Sequence, residues 1–219
     1  MSAASEQRPN GRGLDLTAVG GTAARIEEAA LELFFERGYR STSMRDIAQA
    51  CGLTAAALYN HFPSKDQILY AMVGRLHEEL EAALIAAVEE AGDDPRERLA
   101  AMTRAHALVH TRHRKDAHVA NSEIFSLEEP GRSTVIGSRQ RMAAMFREAI
   151  ATGVERGEFV VPDVLVAAFA IINMGIRIAE WFSPDGRLSS EDVADAHAEL
   201  ALRMAGAKPK RNGGKRNGR

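Results

Sequence analysis

The stretch of sequence that decides the fold is TSMRDIAQACGLTAAALYNHFPSKDQIL, residues 42–69. It holds two short helical patterns, and Gly52 between them can adopt the left-handed conformation of a tight turn. Ser43 and Thr54 are residue types that cap helix N-termini, so each pattern has its own start signal. Pro63 stops the second pattern. Two short helices joined by a glycine turn are typical of a helix-turn-helix unit, whose second helix enters the major groove of DNA.

Helical patterns continue on both sides of this unit. Ile26, Ala30 and Leu33 share one helical face, and Gly38 follows them as a stop signal. After Ser64 a long helix keeps one apolar face over many residues. Further helices are predicted over residues 96–115, 118–127, 135–156, 162–182 and 190–205. Because no sustained strand alternation occurs, the sequence predicts an all-α protein with an N-terminal three-helix helix-turn-helix domain over residues 21–66 and a larger C-terminal helical domain over residues 67–205.

The two ends of the chain have the composition of disordered segments. Residues 1–20 are rich in Ser, Gly, Arg and Asn without periodicity, which predicts a disordered arm. Arg8 and Arg12 in this arm could equally reach a minor groove or be plainly solvated. Residues 206–219 are predicted to form a disordered basic tail, with six basic residues and no acidic one. That tail either adds non-specific DNA affinity by counterion release or only solubilises the chain.

The overall composition indicates a cytoplasmic protein. The 219 residues carry a net charge of −2, and the single cysteine, Cys51, excludes an intramolecular disulfide framework and fits a reducing compartment. The first residues lack a signal-peptide pattern. The longest apolar stretch, residues 164–176, is interrupted by Asn173 and is shorter than the ~20 residues that span a bilayer. We therefore expect no membrane partner.

Polar and basic residues gather where a helix-turn-helix unit meets the DNA backbone. Thr42 and Ser43 lie at the start of the first short helix and Thr54 at the start of the second, where free N–H groups and the helix dipole bind phosphate. Lys65 lies in the first turn of the next helix. Between Arg37 and Lys65 four basic residues stand against one acidic residue, so this unit is locally positive.

The segment RIEEAALELFFERGYRSTSMRDIAQACGLTAAALYNHFPSKDQIL, residues 25–69, resembles the DNA-binding domain of the TetR family of transcriptional regulators. The resemblance rests on LFFERGY, TSMRDIA, ACGLT, LYNHF and SK, and it implies a homodimer on a palindromic double-stranded operator. It also implies phosphate contacts by Thr42, Thr54, Tyr59, His61 and Lys65, and groove-facing positions for Ala55, Ala56 and Asn60. Ala55 departs from the family pattern, in which a polar residue is common. Base readout is then expected to depend on a polar set, Asn60, Tyr59, Thr54 and Arg45.

The second half of the chain resembles the C-terminal domain of a TetR subgroup that includes acyl-CoA-responsive regulators. The resemblance runs through residues 118–164 and through EWFSPDGRLSSEDVADAHAELALRMAG, residues 180–206. It implies that residues 67–205 form a ligand-binding and dimerisation domain. An acyl-CoA thioester needs an apolar tunnel for its acyl group and cations for its phosphates. The residues expected to supply them are Asn121, Phe125, Met142, Phe146, Asn173 and Trp181, with Arg139 and Arg177 as the cations.

Two helices are expected to form the dimer interface. Residues 164–182 are almost continuously apolar, and the last helix carries Val193, Ala196, Leu200 and Met204 on one stripe. Such a pair of helices, joined by the same pair of a second copy, would make a four-helix bundle. Ligand binding is then expected to swing the long helix that follows Ser64 and to separate the two recognition helices.

Two alternatives to this reading stay open on the sequence. His106, His110 and His113 recur at i, i+4 and i+7, and the first spacing can chelate a transition metal, as in a metal-responsive repressor. A small-molecule-processing helical enzyme is the other alternative. No nucleophile–base pair, glycine-rich phosphate loop or carboxylate pair stands out, so the sequence predicts no catalytic residues, no cofactor and no enzyme. The favoured interpretation is a ligand-responsive dimeric repressor, released from its operator by a hydrophobic small molecule such as an acyl-CoA thioester.

Overall fold

The computed structural model describes residues 21–207, and these residues form ten α-helices and one short 3-10 helix without any β-strand. In chain order the helices are α1 (Thr22–Arg37), α2 (Met44–Ala50), α3 (Ala55–Tyr59), α4 (Lys65–Ala91), α5 (Pro95–Arg112), α6 (Arg114–Ser122), the 3-10 turn (Ile124–Ser126), α7 (Gly131–Glu155), α8 (Val164–Ile176), α9 (Ile178–Trp181) and α10 (Ser190–Met204). The predicted all-α fold is confirmed. The predicted arm, residues 1–20, and residues 208–219 of the predicted tail lie outside the described residues.

The folded part of the chain reaches slightly further than the sequence predicts. The N–H of Val160 donates to the carbonyl of Ala205 at 3.0 Å, and the N–H of Ala207 donates to that of Leu202 at 2.9 Å. Gly206 has a φ of +61°, and a Cβ there would lie 2.4 Å from the Val160 oxygen, so this turn requires glycine. Residues 206 and 207 therefore close the folded domain and do not begin the tail.

The head consists of α1, α2, α3 and the first turns of α4. Ser43 caps α2, as its residue type predicts, and it does so in a capping box with Asp46, whose N–H donates to Ser43 Oγ at 3.2 Å. The hydroxyl of Thr54 accepts a bond from the N–H of Ala57 at 3.1 Å and so caps α3. α3 ends at Tyr59, slightly before its predicted end, because the backbone tightens into a turn there. These local bonds satisfy the free N–H groups that begin each short helix.

α4 connects the head with the body, which comprises the rest of α4 and α5 to α10. Ile68 and Leu69 of α4 are fully buried in the head, and Leu80 and Leu84 of the same helix are buried in the body. α5 lies centrally in the body and packs against α4, α7, α8 and α10. Because α4 is continuous from one part to the other, a tilt of α4 in the body also moves the head.

α6 and the turn after it form a second connection to the head. Lys115 Nζ of α6 lies 2.6 Å from a carboxylate oxygen of Glu32 on α1. Glu123 Oε1 accepts a bond from the backbone N–H of Tyr39, in the loop after α1, at 3.5 Å. Each exposed contact contributes little free energy alone. Together they fix the position of the head relative to α6 as well as to α4.

α8 and α10 pack against each other, and both expose apolar side chains. This apolar face consists of Leu165, Val166 and Phe169 of α8 and Leu200 and Met204 of α10, which are 41–66% exposed. By length and composition alone the segment Val164–Trp181 could cross a membrane, with a mean hydropathy of 1.6, although α8 ends within it. Val193 was expected on this face, but it is 1% exposed because it packs with Ala107 and Ile178 in the core.

Candidate DNA-binding face and effector cavity

The surface formed by α2, α3 and the turn after α3 carries most of the residues predicted to contact DNA. Those exposed there are Ser43, Arg45, Thr54, Ala55, Ala56, Tyr59, Asn60 and His61. Tyr59 is 50% exposed, which is unusual for a large ring in a folded domain. The head thus brings these polar and small side chains together on the two helices of the helix-turn-helix unit.

Thr42 does not belong to this surface. Its side chain is 3% exposed, and its hydroxyl donates to the carbonyls of Gly38 at 3.0 Å and Leu33 at 3.4 Å. These are carbonyl groups at the end of α1, which need a donor. The Thr42 hydroxyl is therefore enclosed and holds α1 and α2 together, so it is not available to a phosphate. The expected phosphate contact by Thr42 stays a prediction that does not involve this hydroxyl.

Lys65 lies between the α1–α2 loop and the start of α4. Its Nζ donates to the carbonyls of Tyr39 and Thr42, both at 2.6 Å, and lies 4.1 Å from the centroid of the Tyr39 ring. Desolvation lowers the pKa of Lys65 below its usual value. The ammonium group therefore braces the loop. An ammonium has three N–H donors, so the predicted phosphate contact would be an additional role of the same group.

Two substitutions distinguish contacts with the DNA backbone from support of the α1–α2 loop. Tyr59→Ala separates the two roles expected of Tyr59. As a phosphate contact, which carries no sequence information, its loss should weaken binding to operator and to unrelated DNA by the same factor, whereas the loss of base readout would weaken operator binding more. Lys65→Ala should weaken both and lower the slope of log K against log salt by about 0.9. Anisotropy titrations at several salt concentrations measure both effects. Arg98→Ala removes one positive charge beside Gly92, at the end of α4 that is far from the head, and serves as the control. An unchanged slope for Lys65→Ala would leave only the bracing role.

A cavity of about 220 Å³ lies in the body between α4, α5, α6, α7 and α8. Its wall includes the predicted ligand residues Asn121, Arg139, Met142, Phe146 and Asn173. The other lining residues are Leu76, His77, Leu80, His106, His110, Ala120, Ala143, Phe169, Ile172 and Ile176. Pockets for drug-sized ligands usually measure about 300–1,000 Å³. This cavity therefore suits a compact apolar group, or the apolar end of a longer molecule.

Arg139 of α7 is the polar centre of this cavity. Its Nε donates to His77 Nε2 of α4 at 2.9 Å, and its Nη2 donates to the carbonyl of Ala120 and to Asn121 Oδ1 of α6, both at 3.1 Å. Burial lowers the pKa of the Arg139 guanidinium, which nevertheless stays protonated. A molecule that contacts Arg139 therefore acts on α4 and α6 together, the two helices that hold the head.

Three buried histidines, His77, His106 and His110, form part of the cavity wall. The Nδ1 of His77 donates to the carbonyl of Val73 at 2.7 Å, since its Nε2 accepts the bond from Arg139. The Nδ1 of His110 lies 2.9 Å from the carbonyl of His106. Desolvation lowers the pKa of His77 and of His110 to about 4, and that of His106 well below its usual value. All three rings are neutral at pH 7.

Sequence reasoning missed His77 and the two leucines beside it, Leu76 and Leu80. A signal was present, since His77 lies one helical turn after Val73 on the buried face of α4. A polar ring on the apolar face of a long helix is either hydrogen-bonded within the core or part of the wall of a binding site. The bond from Arg139 that distinguishes these cases joins residues far apart in the chain.

Three predicted ligand residues lie outside the cavity. Phe125, on the 3-10 turn, is 80% exposed. Arg177 follows the end of α8 and forms an exposed ion pair with Glu180. Trp181 is 52% exposed, and its ring stacks on that of His197 at a centroid distance of 6.2 Å. Phe125 and Trp181 therefore do not line the cavity, because Phe125 follows the end of α6, Trp181 is the last residue of α9, and both side chains turn outward. The expected role of Arg177 as a cation for the phosphates stays a prediction.

The three histidines considered as a metal site do not converge. α5 ends at Arg112, so His113 leaves the helical face that His106 and His110 share. His113 Nε2 lies 2.9 Å from Glu79 Oε1 on the surface. Among residues 21–207 no group of three His, Cys, Asp or Glu side chains is arranged to hold a metal ion. His106, His110 and His113 therefore do not form the three-histidine group on which the alternative of a metal-responsive repressor depends.

A depression of about 290 Å³ adjoins the cavity between α6 and α8. It shares Asn121, Asn173 and Ile176 with the cavity wall, so the two spaces have a common border. Its other lining residues are His118, Ser122, Arg177, Ala179 and Glu180. A ligand with its apolar end in the cavity could thus extend across a more polar surface that includes Arg177.

Two family models match the chain. Residues 26–72 match the model described as bacterial regulatory proteins, tetR family, and residues 92–205 match the model described as tetracyclin repressor-like, C-terminal domain. The boundary between the two models falls within α4 and the loop after it, where the head passes into the body.

Curated relatives and solved structures agree with these models. The HTH-type transcriptional repressor KstR2 of Mycobacterium tuberculosis H37Rv is 27% identical over 179 residues, which cover 80% of this chain and 88% of the relative. A tetR-family regulatory protein from Rhodococcus RHA1 has a TM-score of 0.80 at 31% identity, covering 87% of this chain and 100% of that one. AibR in complex with isovaleryl coenzyme A and operator DNA has a TM-score of 0.74 at 30% identity, covering 85% and 100%.

Proposed function

The chain belongs to the TetR family of bacterial regulatory proteins, and on this premise we propose that it is a homodimeric repressor that leaves a palindromic operator when an acyl compound fills the cavity of the body. It is a DNA-binding transcriptional regulator and not an enzyme.

The observation that carries the proposal is the position of Arg139 between the two helices that hold the head. Arg139 donates to His77 on α4 and to Ala120 and Asn121 on α6. A ligand that engages the guanidinium competes with these bonds and shifts α4 and α6. The two recognition helices then lose the one-turn separation of about 34–36 Å that adjacent major grooves require. Ligand need only favour the released state by a few kcal/mol.

An acyl-CoA thioester is the effector we propose. The structure of AibR with isovaleryl coenzyme A and operator DNA supports this class. In this chain the cavity suits a compact acyl group, and the adjoining depression could receive part of the coenzyme. The enclosed position of Arg139 assigns it to the acyl end of such a molecule, whereas Arg177, on the outer depression, is the arginine available to the phosphates.

A second copy of the chain is the partner we propose for the apolar face of α8 and α10. Operators with two half-sites are read by two-fold symmetric dimers, and an isologous interface places the same face of each copy in contact. Covering the exposed side chains by a second copy accounts for them without lipid. A regulator that acts on bacterial DNA works in the cytoplasm, and the buried free thiol of Cys51 fits that compartment.

Operator release in vitro tests the effector class. Isovaleryl-CoA and longer acyl-CoAs are expected to release a fluorescent operator, whereas Zn²⁺, Cu²⁺ or Ni²⁺ and chelators leave it bound. Ala143→Phe fills the cavity and should raise the thioester concentration needed for release by about tenfold or more. Ala144→Phe, on the exposed next position of α7, is the matched control. Release by metal ions and by no acyl compound would refute the proposal.

A further inference from the structure

Arg139 is a partly buried cation whose protein partners are all neutral. The three groups that accept its hydrogen bonds are an imidazole nitrogen of His77, the carbonyl of Ala120 and the amide oxygen of Asn121. No carboxylate among residues 21–207 forms an ion pair with it. The other arginine nearby on α7, Arg141, does have such a partner, Glu81 at 2.6 Å. A buried charge without a counter-charge is destabilising unless something else supplies one.

One donor group beside the cavity is buried without an acceptor. The Nδ2 of Asn121 is enclosed and has no partner within the described part of the chain. Its identity as the amide nitrogen follows from the bond that Asn121 Oδ1 accepts from Arg139. Buried donors left unpaired are rare, so this amide, next to a guanidinium that has no carboxylate partner, points to an absent acceptor.

Three other polar side chains of the wall, those of Asn173, His77 and His110, have partners in the protein. The amide nitrogen of Asn173 already donates to the carbonyl of Phe169 at 2.8 Å. His77 and His110 each have a backbone carbonyl beside Nδ1, which leaves Nε2 as an acceptor. Beyond Arg139 and Asn121 the wall is mostly aliphatic and aromatic, with Met142 and Phe146 at its centre. The cavity therefore has one end that needs acceptor oxygens and an apolar remainder.

We propose that Arg139 and Asn121 form the subsite that binds the carboxyl-derived oxygen atoms of the effector, while its hydrocarbon part packs against Met142 and Phe146. This inference rests on the proposed function and names the chemistry that the cavity recognises. A carboxylate of a free acid and the carbonyl of a thioester share that chemistry. A carboxylate also supplies the negative charge that Arg139 lacks, so its binding depends more strongly on the guanidinium than that of a thioester.

Binding to the full-length protein, measured by calorimetry without DNA, tests the subsite. The ligands are a graded series of straight and branched aliphatic acids, the matching primary alcohols and the matching CoA thioesters. For a given carbon skeleton the acid or the thioester is expected to bind about tenfold or more tightly than the alcohol. Arg139→Met and Asn121→Ala should abolish this preference, and Arg139→Met should weaken the acid more than the thioester. Arg141→Met, which removes a charge from the surface of the same helix, is the matched control.

The outcomes separate the subsite from the wider proposal. If alcohols bind as tightly as acids and thioesters, if no member of the series binds, or if Arg139→Met and Asn121→Ala keep the preference, the subsite is refuted. Circular dichroism excludes misfolding, and Asn121→Ala provides the result if Arg139→Met does not fold. Operator release measured in parallel tests the proposed function. If acids or thioesters bind more tightly than alcohols and require Arg139, but release no operator, the subsite is supported and the effector role is refuted. If they release the operator equally well from the wild type and from both variants, the effector role is supported and the subsite is refuted.

Discussion

Leu200→Asp is expected to convert the protein into a monomer that no longer binds its operator. Leu200 is 43% exposed on α10, beside the exposed side chains of Phe169 and Val166 on α8. If a second copy covers this face, the new carboxylate is buried without a partner in each copy, at a cost of several kcal/mol. A single head reads only one half-site, so operator affinity should fall by about a hundredfold or more. Sedimentation velocity and an operator titration measure the two effects.

An exposed apolar residue elsewhere provides the control for this substitution. Ile85 of α4 is 45% exposed, about as much as Leu200, but lies outside the apolar face of α8 and α10. Ile85→Asp introduces the same charge and should leave both the dimer and operator binding intact. A Leu200→Asp protein that still sediments as a dimer would locate the interface elsewhere. A monomeric Ile85→Asp protein would locate it on α4.

The parts of the fold that local chemistry determines were predictable from the sequence. Ser43 and Thr54 cap their helices by bonds to residues three positions on, so their roles follow from short segments. Thr42 is a threonine like Thr54 and directly precedes Ser43, but its hydroxyl donates to carbonyls at the end of α1 and does not cap α2. That choice depends on how α1 and α2 meet, which a helical pattern does not contain.

The effector cavity was predicted in part, for a related reason. Met142, Phe146 and Arg139 lie on one face of a single continuous helix, α7, so their common orientation follows from helical spacing. Phe125 and Trp181 lie where short helices begin or end. A small change in direction at such a point turns a side chain from the core to solvent. Periodicity predicts a face well within a helix and poorly across its end.

Helical spacing also failed at the end of a helix for the histidines, and there it suggested the wrong cluster. Spacing alone grouped His113 with His106 and His110, but the end of α5 separates them. The histidine that joins the buried pair at the cavity is His77, from α4. Spacing within α4 marks it as a buried position but does not relate it to the two histidines of α5. The cluster is therefore built by tertiary packing, and its chemistry is that of neutral acceptors beside a guanidinium and not that of metal ligands.

Acidification from pH 7 to about pH 5 is expected to destabilise the folded protein by several kcal/mol. In the fold, desolvation holds the pKa of His77 and of His110 at about 4, against an ordinary value near 6.5 in the unfolded chain. The unfolded chain therefore binds more protons between these values. The stability contributed by the neutral rings is complete above about pH 6.5, is lost as the pH falls towards 4, and is not reduced further below that. The positive charge of Arg139, next to His77, also lowers the pKa of His77 and so adds to the effect of desolvation.

Urea unfolding at a series of pH values measures this loss. The shift of each ring corresponds to on the order of 2 kcal/mol at about pH 5, a substantial part of the 5–15 kcal/mol that usually stabilises a domain. His110→Gln keeps a polar group of similar size but removes the titration, so its stability should fall less over this interval than that of the wild type. His61→Gln, which replaces a histidine on the exposed face of the head, is the matched control. A wild-type protein whose unfolding free energy is the same at pH 7 and pH 5 would mean that the buried rings titrate alike in both states, and that protons or water reach the cavity wall freely.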